Sequence, residues 1–406
     1  MNPWRRAGWL TATVLSLSSM PAKTEMLTAQ EYRTDVVDSA AVVVATTLAM
    51  RSGSADDPAG LEGLTHVIAE AHRTALERVP GVLGVEAEVT RASVSWTVVS
   101  TPDAAGRVLS DIRSVDVMTS GLPEALDEAR RRFLFTAATP ATEVDVEAAR
   151  LFTGFGSAWA RPVRGTGESV AAIGTASARD RWDDLLSGAL ALVRVGPPGA
   201  VSPADPTPGA GPVPADASPP PIRTGLPWTQ GDRLAITREV TNVWIVAAFP
   251  VPADLGRTSL DHLVHRIDEI LNPTPPEAGI IGAGVALARL PEGQAIVIRA
   301  TVLPSSAGRW EERIRTIPSG ITPPFDPEFF RWERRRFRAH LLLRDALPTE
   351  RSRRIAGDLL GTGSVRTLAD EAWSLEPDDL AEAASRLGPP RILVLGAEVG
   401  GPDSIP

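Results

Sequence analysis

Five histidines, His66, His72, His262, His265 and His340, and no cysteine restrict any metal chemistry in this 406-residue chain to imidazole and carboxylate ligands. In the stretch Leu64-Thr-His-Val-Ile-Ala-Glu-Ala-His72, His66 and Glu70 are four residues apart and share one face if the segment is helical. His72 is then rotated about 240° from His66. Hydrolysis at a zinc ion needs a third ligand and a base that takes a proton from the bound water, and none of the residues between His66 and Glu70 (Val67, Ile68 and Ala69) supplies a base. Nucleophilic serine chemistry has no support, because Gly-x-Ser-x-Gly does not occur. Ile280-Ile-Gly-Ala-Gly-Val285 lacks the third glycine and the downstream acid of a dinucleotide fingerprint. A net charge of -9 and pI near 5.3 argue against tracking a phosphate backbone, so no nucleic-acid partner is expected.

The elements that must position these groups recur. Residues 197–221 hold ten prolines and divide the chain into halves of similar size; such a segment reads as an extended linker. Each half offers an apolar strand run (Val36 to Leu48; Val243 to Phe249) and then a helical pattern (Leu61 to Glu77; Ser259 to Leu271). A strand pair and helices follow, and a last strand ends at Gly196 or Gly396. Pro123-Glu124 with Ala129-Arg-Arg-Arg-Phe133 recurs as Pro327-Glu328 with Glu333-Arg-Arg-Arg-Phe337 at a constant offset of 204, the mark of an internal duplication. Both arginine runs read as solvated faces with acidic partners. The tryptophans at 228, 244, 310, 332 and 373 read as core and domain packing.

Met50 to His72 resembles the segment that opens the active domain of insulinase/pitrilysin metallopeptidases. Gly53-Ser54, Asp56-Asp57-Pro58, Gly60-Leu61 and His66 fall where that family has its turn, acids and the start of its inverted zinc motif H-x-x-E-H. Pro162 to Ile173 is similar to the family's Gly-Thr-x-Glu-Ser segment. The resemblance implies that Ala69 stands at the base position, Glu70 at the second histidine, and Phe135, in the helix Glu128 to Ala137, near the third ligand. The family's substrate-gripping Arg and Tyr of the second half find Arg289 and Arg299 but no tyrosine, since the single one is Tyr32.

The expected fold is α+β: two homologous insulinase-like layers, each an antiparallel or mixed sheet with helices on one face, closing as a clamshell. The expected organisation is a signal peptide over 1–22, domains over 23–196 and 228–406, and a linker over 197–227. No catalytic residue is expected, and no metal or cofactor, with His66, Glu70 and His72 as residual zinc candidates. The leading functional expectation is a catalytically inactive homologue that pairs with an active subunit of the family, or with itself, around unfolded peptides. The alternatives are a zinc endopeptidase with a rearranged site at His66 and Glu70, and a stand-alone extracytoplasmic peptide-binding protein. Arg5 and Arg6 before an apolar stretch imply a periplasmic or secreted protein with no membrane span in its mature part.

Overall fold

The computed structural model describes residues 31–136, 139–154, 156–202, 233–291, 293–321, 326–397 and 404–405. The expected signal peptide, Trp228 and most of the proline-rich segment lie outside them. Residues 197–202 are described, and Val201 is buried against Val44 and Ala105 of the first half.

The first half runs β1 (Glu31–Val37), β2 (Val44–Met50), α1 (Leu64–Leu76), β3 (Val82–Val89), β4 (Val94–Ser100), α2 (Ala105–Asp111), α3 (Val115–Thr136), α4 (Pro140–Thr153), α5 (Gly167–Ala172), α6 (Thr175–Ser187) and β5 (Leu190–Gly196). The apolar run read as one strand from Val36 to Leu48 is therefore the end of one strand, a turn at Asp38–Val43 and most of another. Asp38 accepts from the Ala40 amide at 2.9 Å and turns the chain there.

The second half repeats the order: β6 (Arg233–Thr237), β7 (Val243–Val251), α7 (Arg257–Leu271), β8 (Ile280–Leu290), β9 (Gly293–Val302), α8 (Ala307–Thr316), α9 (Pro327–Asp345), α10 (Pro348–Thr362), α11 (Leu368–Glu371), α12 (Pro377–Ser385), β10 (Arg391–Gly396) and a short β11 (Ser404–Ile405). The sheet orders are β1-β5-β2-β4-β3 and β11-β6-β10-β7-β9-β8. Corresponding strands pair in the same sense, with β1–β5 and β6–β10 parallel and the following pairs antiparallel. The register irregularity also repeats, between Val82 and Gly84 and between Ile280 and Gly282. A duplicated bulge follows from a duplicated ancestral layer, because a bulge is a built feature of a strand pair rather than an accident of sequence.

Each half's own helices cover one face of its sheet. In the first, Leu64, Val67, Ile68 and Ala71 of α1 pack with Trp96, Met118 and Trp182 over β2 and β4; their i, i+3, i+4 spacing gives the apolar stripe. The other face is covered by a helix from the opposite half. Val144, Ala148 and Phe152 of α4 sit on Val246, Ala248, Val297 and Leu393 of the second sheet. In return, Ile355, Ala356 and Leu359 of α10 sit on Ala49, Ala191, Val193 and Tyr32 of the first. Polar contacts fix both docks. Arg391 of β10 donates to the carbonyls of Leu151 and Phe152 at 2.9 and 3.2 Å, satisfying the open C-terminal turn of α4. Ser352 of α10 is fully buried and hydrogen-bonded to Thr47 of β2 at 2.8 Å.

Two tryptophans depart from the packing expectation. Trp310 is fully buried, whereas Trp332 and Trp373 are each 50% exposed. Trp332 carries Arg336 over its ring, and Trp373 carries Arg334 and Arg338. The arginine runs behave as read: Arg131 and Arg132 meet Glu128, and Arg336 meets Glu269. Among the described residues no helix is long and apolar enough to cross a membrane.

Candidate functional site: the chamber between the halves

The two halves enclose a chamber of about 2090 Å³ whose wall takes residues from α1, α3, α4, the β3–β4 turn, β8 and α10. His66 and Glu70 both face it. What brings them there is a set of contacts made by the residues around them. Asp57, 3% exposed, accepts from the amides of Gly63 (3.0 Å) and Thr65 (3.1 Å) and from the Thr65 hydroxyl, so it caps the first turn of α1 from outside the helix. Arg181 stands 3.6 Å from the same carboxylate and donates to Ser52 and Gly53. Gly63 enters the helix at φ +89°, and a Cβ there would lie 2.4 Å from the carbonyl of Arg164; only glycine fits. Ser169 donates to the carbonyl of Glu62 at 2.8 Å while joining Thr166 in the cap of α5. The two segments carrying the family resemblance are thus mutual supports, and both are intact.

The ligand and base positions that the resemblance implies are occupied otherwise. Ala69 is fully buried, and its carbonyl accepts from the indole of Trp96 at 3.0 Å; no acid stands at that position. Glu70 is held by Arg73 at 3.0 Å. His72, kept as a residual candidate from the sequence, is removed from the set: it is fully buried, donates from Nε2 to the carbonyl of Ile112 at 2.9 Å and packs between Trp96 and Trp182. Phe135 lies in α3, but its side chain is outside the described residues, and a phenyl ring is no ligand whatever its orientation. Of the carboxylates that α3 brings to the wall, Glu128 is taken by Arg131 and Arg132 at 3.0 and 2.9 Å, and Glu124 pairs with Arg78.

Electrostatics points the same way. Burial pushes His66 down to about 4; Glu70 opposes this, and the guanidiniums of Arg164 and Arg132 add to it. Positive charges that disfavour a proton on His66 also disfavour a dication beside it. Among the described residues there is no group of three His, Asp or Glu side chains placed to hold a metal. The described residues therefore offer no three-ligand donor set for the zinc that the resemblance implies.

Arg289 and Arg299 also reach the chamber from β8 and β9. Arg299 pairs with Asp145 of α4. Tyr32 is buried in β1 against α10 and is not on the wall. Sequence reasoning missed Arg51, just after β2, and Arg91, in the β3–β4 turn, which line the chamber as well. Their only signal was position, each at a strand end beside the motif-bearing segment. It also missed a buried polar cluster under α9, where His262 stacks on Phe337 at 4.7 Å and the fully buried Glu333 meets Arg266 at 3.1 Å. The recurrence of the Arg-Arg-Arg-Phe run could have pointed to it.

No protein-family model matches the chain, and no curated protein does. Solved structures match along nearly its whole length. A chain of complex III2 from Candida albicans, bound to Inz-5, superposes with TM-score 0.67 at 14% identity, over 90% of this chain and 95% of that one. A protease from Helicobacter pylori gives TM-score 0.67 at 10% identity over 91% and 98%. A structure described as an M16-like peptidase from Alicyclobacillus acidocaldarius gives 0.65 at 14% over 90% and 98%. The chain therefore has the duplicated M16 peptidase-like fold.

Proposed function

We propose that this chain, built on the duplicated M16 peptidase-like fold, holds extended peptides without hydrolysing them and works as the partner subunit of an active zinc peptidase of the same fold. The observation that carries the reading is the replacement of chemistry inside an intact scaffold. Asp57, Gly63 and Ser169 still place α1 against the chamber, while the positions that would bind zinc and activate water hold Glu70 and the buried Ala69.

Pairing is supported by two further features. One matching structure is a chain of an assembly, complex III2. The outer side of α9 also exposes Phe329, Trp332 and Leu343 at helical spacing, a combination suited to a protein surface that is covered in its working state. Export to the periplasm or beyond belongs to the same proposal and rests on the arginine-led apolar N-terminus.

The test is affinity capture of the full chain from its native extract, with size-exclusion chromatography and a peptide-cleavage assay in added zinc. The reading expects a co-eluting zinc peptidase of this fold and no cleavage by the chain alone. Recovery only as a partner-free monomer, or cleavage that disappears in His66→Ala, would contradict it.

A further inference from the structure

The chamber wall has a charge that the chain as a whole does not. The protein carries nine more acidic than basic charges, yet among the described wall residues arginines outnumber carboxylates thirteen to eight. Most of these arginines are spent on neighbours: Arg73 on Glu70, Arg131 and Arg132 on Glu128, Arg299 on Asp145, Arg353 on Glu86 and Glu350, Arg354 on Asp358. Arg51, Arg91 and Arg289 form no ion pair with any described residue, although Arg91 feels the charges of Asp145 and of Arg299, which is paired with that aspartate. They come from different parts of the fold, Arg51 and Arg91 from the rim of the first sheet and Arg289 from β8 of the second, and they line one space.

Two details separate this cluster from an ordinary solvated surface. Nε of Arg91 is shut off from solvent and has no hydrogen-bond partner, which leaves a donor without an acceptor. Arg289 is pushed below its ordinary range by burial and by the positive charge of Arg51, so the two cations repel each other. An anion entering this part of the wall would relieve that repulsion. At about 2090 Å³ the space exceeds the roughly 300–1000 Å³ usual for small-molecule pockets and suits a length of extended chain.

We infer that Arg51, Arg91 and Arg289 form a carboxylate-binding cluster that makes the chamber selective for acidic peptides, with side chains of Asp or Glu bridging the two halves. The inference rests on the peptide-holding reading above and adds its specificity. Guanidiniums suit the role because each offers a planar fork of donors to a carboxylate.

The experiment is fluorescence anisotropy on the full chain with three labelled peptides of about twelve residues, identical except for Glu, Gln or Lys at alternate positions. The Glu peptide should bind at least about tenfold more tightly than the Gln peptide at low salt, lose that advantage as salt shortens the Debye length to about 3 Å near 1 M, and the Lys peptide should bind least. Arg51→Gln with Arg289→Gln should abolish the preference without lowering the melting temperature; Arg51→Lys with Arg289→Lys should keep most of it and melt as the natural chain does. Equal binding of the Glu and Gln peptides, or a preference that survives the double Gln variant, overturns the selectivity while peptide holding stands. Failure of all three peptides to bind overturns the peptide-holding reading and this inference with it.

Discussion

His72 and His66 lie six residues apart on one helix and do different things. His66 faces the chamber, while His72 is wedged between two indoles with a single carbonyl to bond. Burial pushes His72 down to about 4, against the Ile112 hydrogen bond; His262 is also pushed to about 4, by burial and then by His265 and Arg266. Both are neutral when folded, whereas the unfolded chain takes up protons below about pH 6.5. Folding stability should therefore be level above that pH and fall as the pH drops towards 4, by up to about 3 kcal/mol for each histidine. Urea denaturation at a series of pH values checks this, and His72→Gln, which keeps a donor for Ile112, should flatten the slope. A stability that rises on acidification through this window would contradict the assignment. Asp57 is the residue on which the α1 entry most depends. Asp57→Ala removes the cap and leaves Arg181 buried without its acid, so we expect a loss of about 3 kcal/mol, read as a lower urea midpoint with an unchanged slope.

At the scale of elements, the sequence showed the duplication but not the exchange of helices. The repeated Pro-Glu and Arg-Arg-Arg-Phe pairs fix the correspondence of α3 with α9, and the alternation in SVSWTVVS and QAIVIRATV finds β4 and β9. Nothing local tells α4 that its apolar side, Val144, Ala148 and Phe152, belongs on the other half's sheet. An amphipathic helix states that it has a face to bury and not where. The turn at Asp38–Val43 was hidden because its flanks are both apolar. Reciprocal docking predicts that segments 31–202 and 233–406, expressed as separate chains, co-purify. Phe152→Ala should weaken that association and cost about 3–4 kcal/mol in the intact chain. Two segments that elute separately, each as a folded monomer, would mean that the exchanged helices do not hold the halves together.

The whole molecule is two duplicated sheets, with their helices, around one chamber. The occupants of the expected motif positions, His66, Ala69 and Glu70, were legible in the sequence because all three lie on one helix. The charge of the wall was not legible, since Arg51, Arg91 and Arg289 meet only through the tertiary fold, and a net charge of -9 points the other way. The guanidiniums of Arg132 and Arg164 around His66 were hidden for the same reason. Together these features support the reading of a chamber suited to carboxylates rather than to a dication. The most direct test is the zinc content of the purified chain, by elemental mass spectrometry after equilibration with micromolar zinc and desalting. The account predicts less than about a tenth of an equivalent, the same in His66→Ala. Close to one equivalent in the natural sequence, lost in His66→Ala, would contradict it.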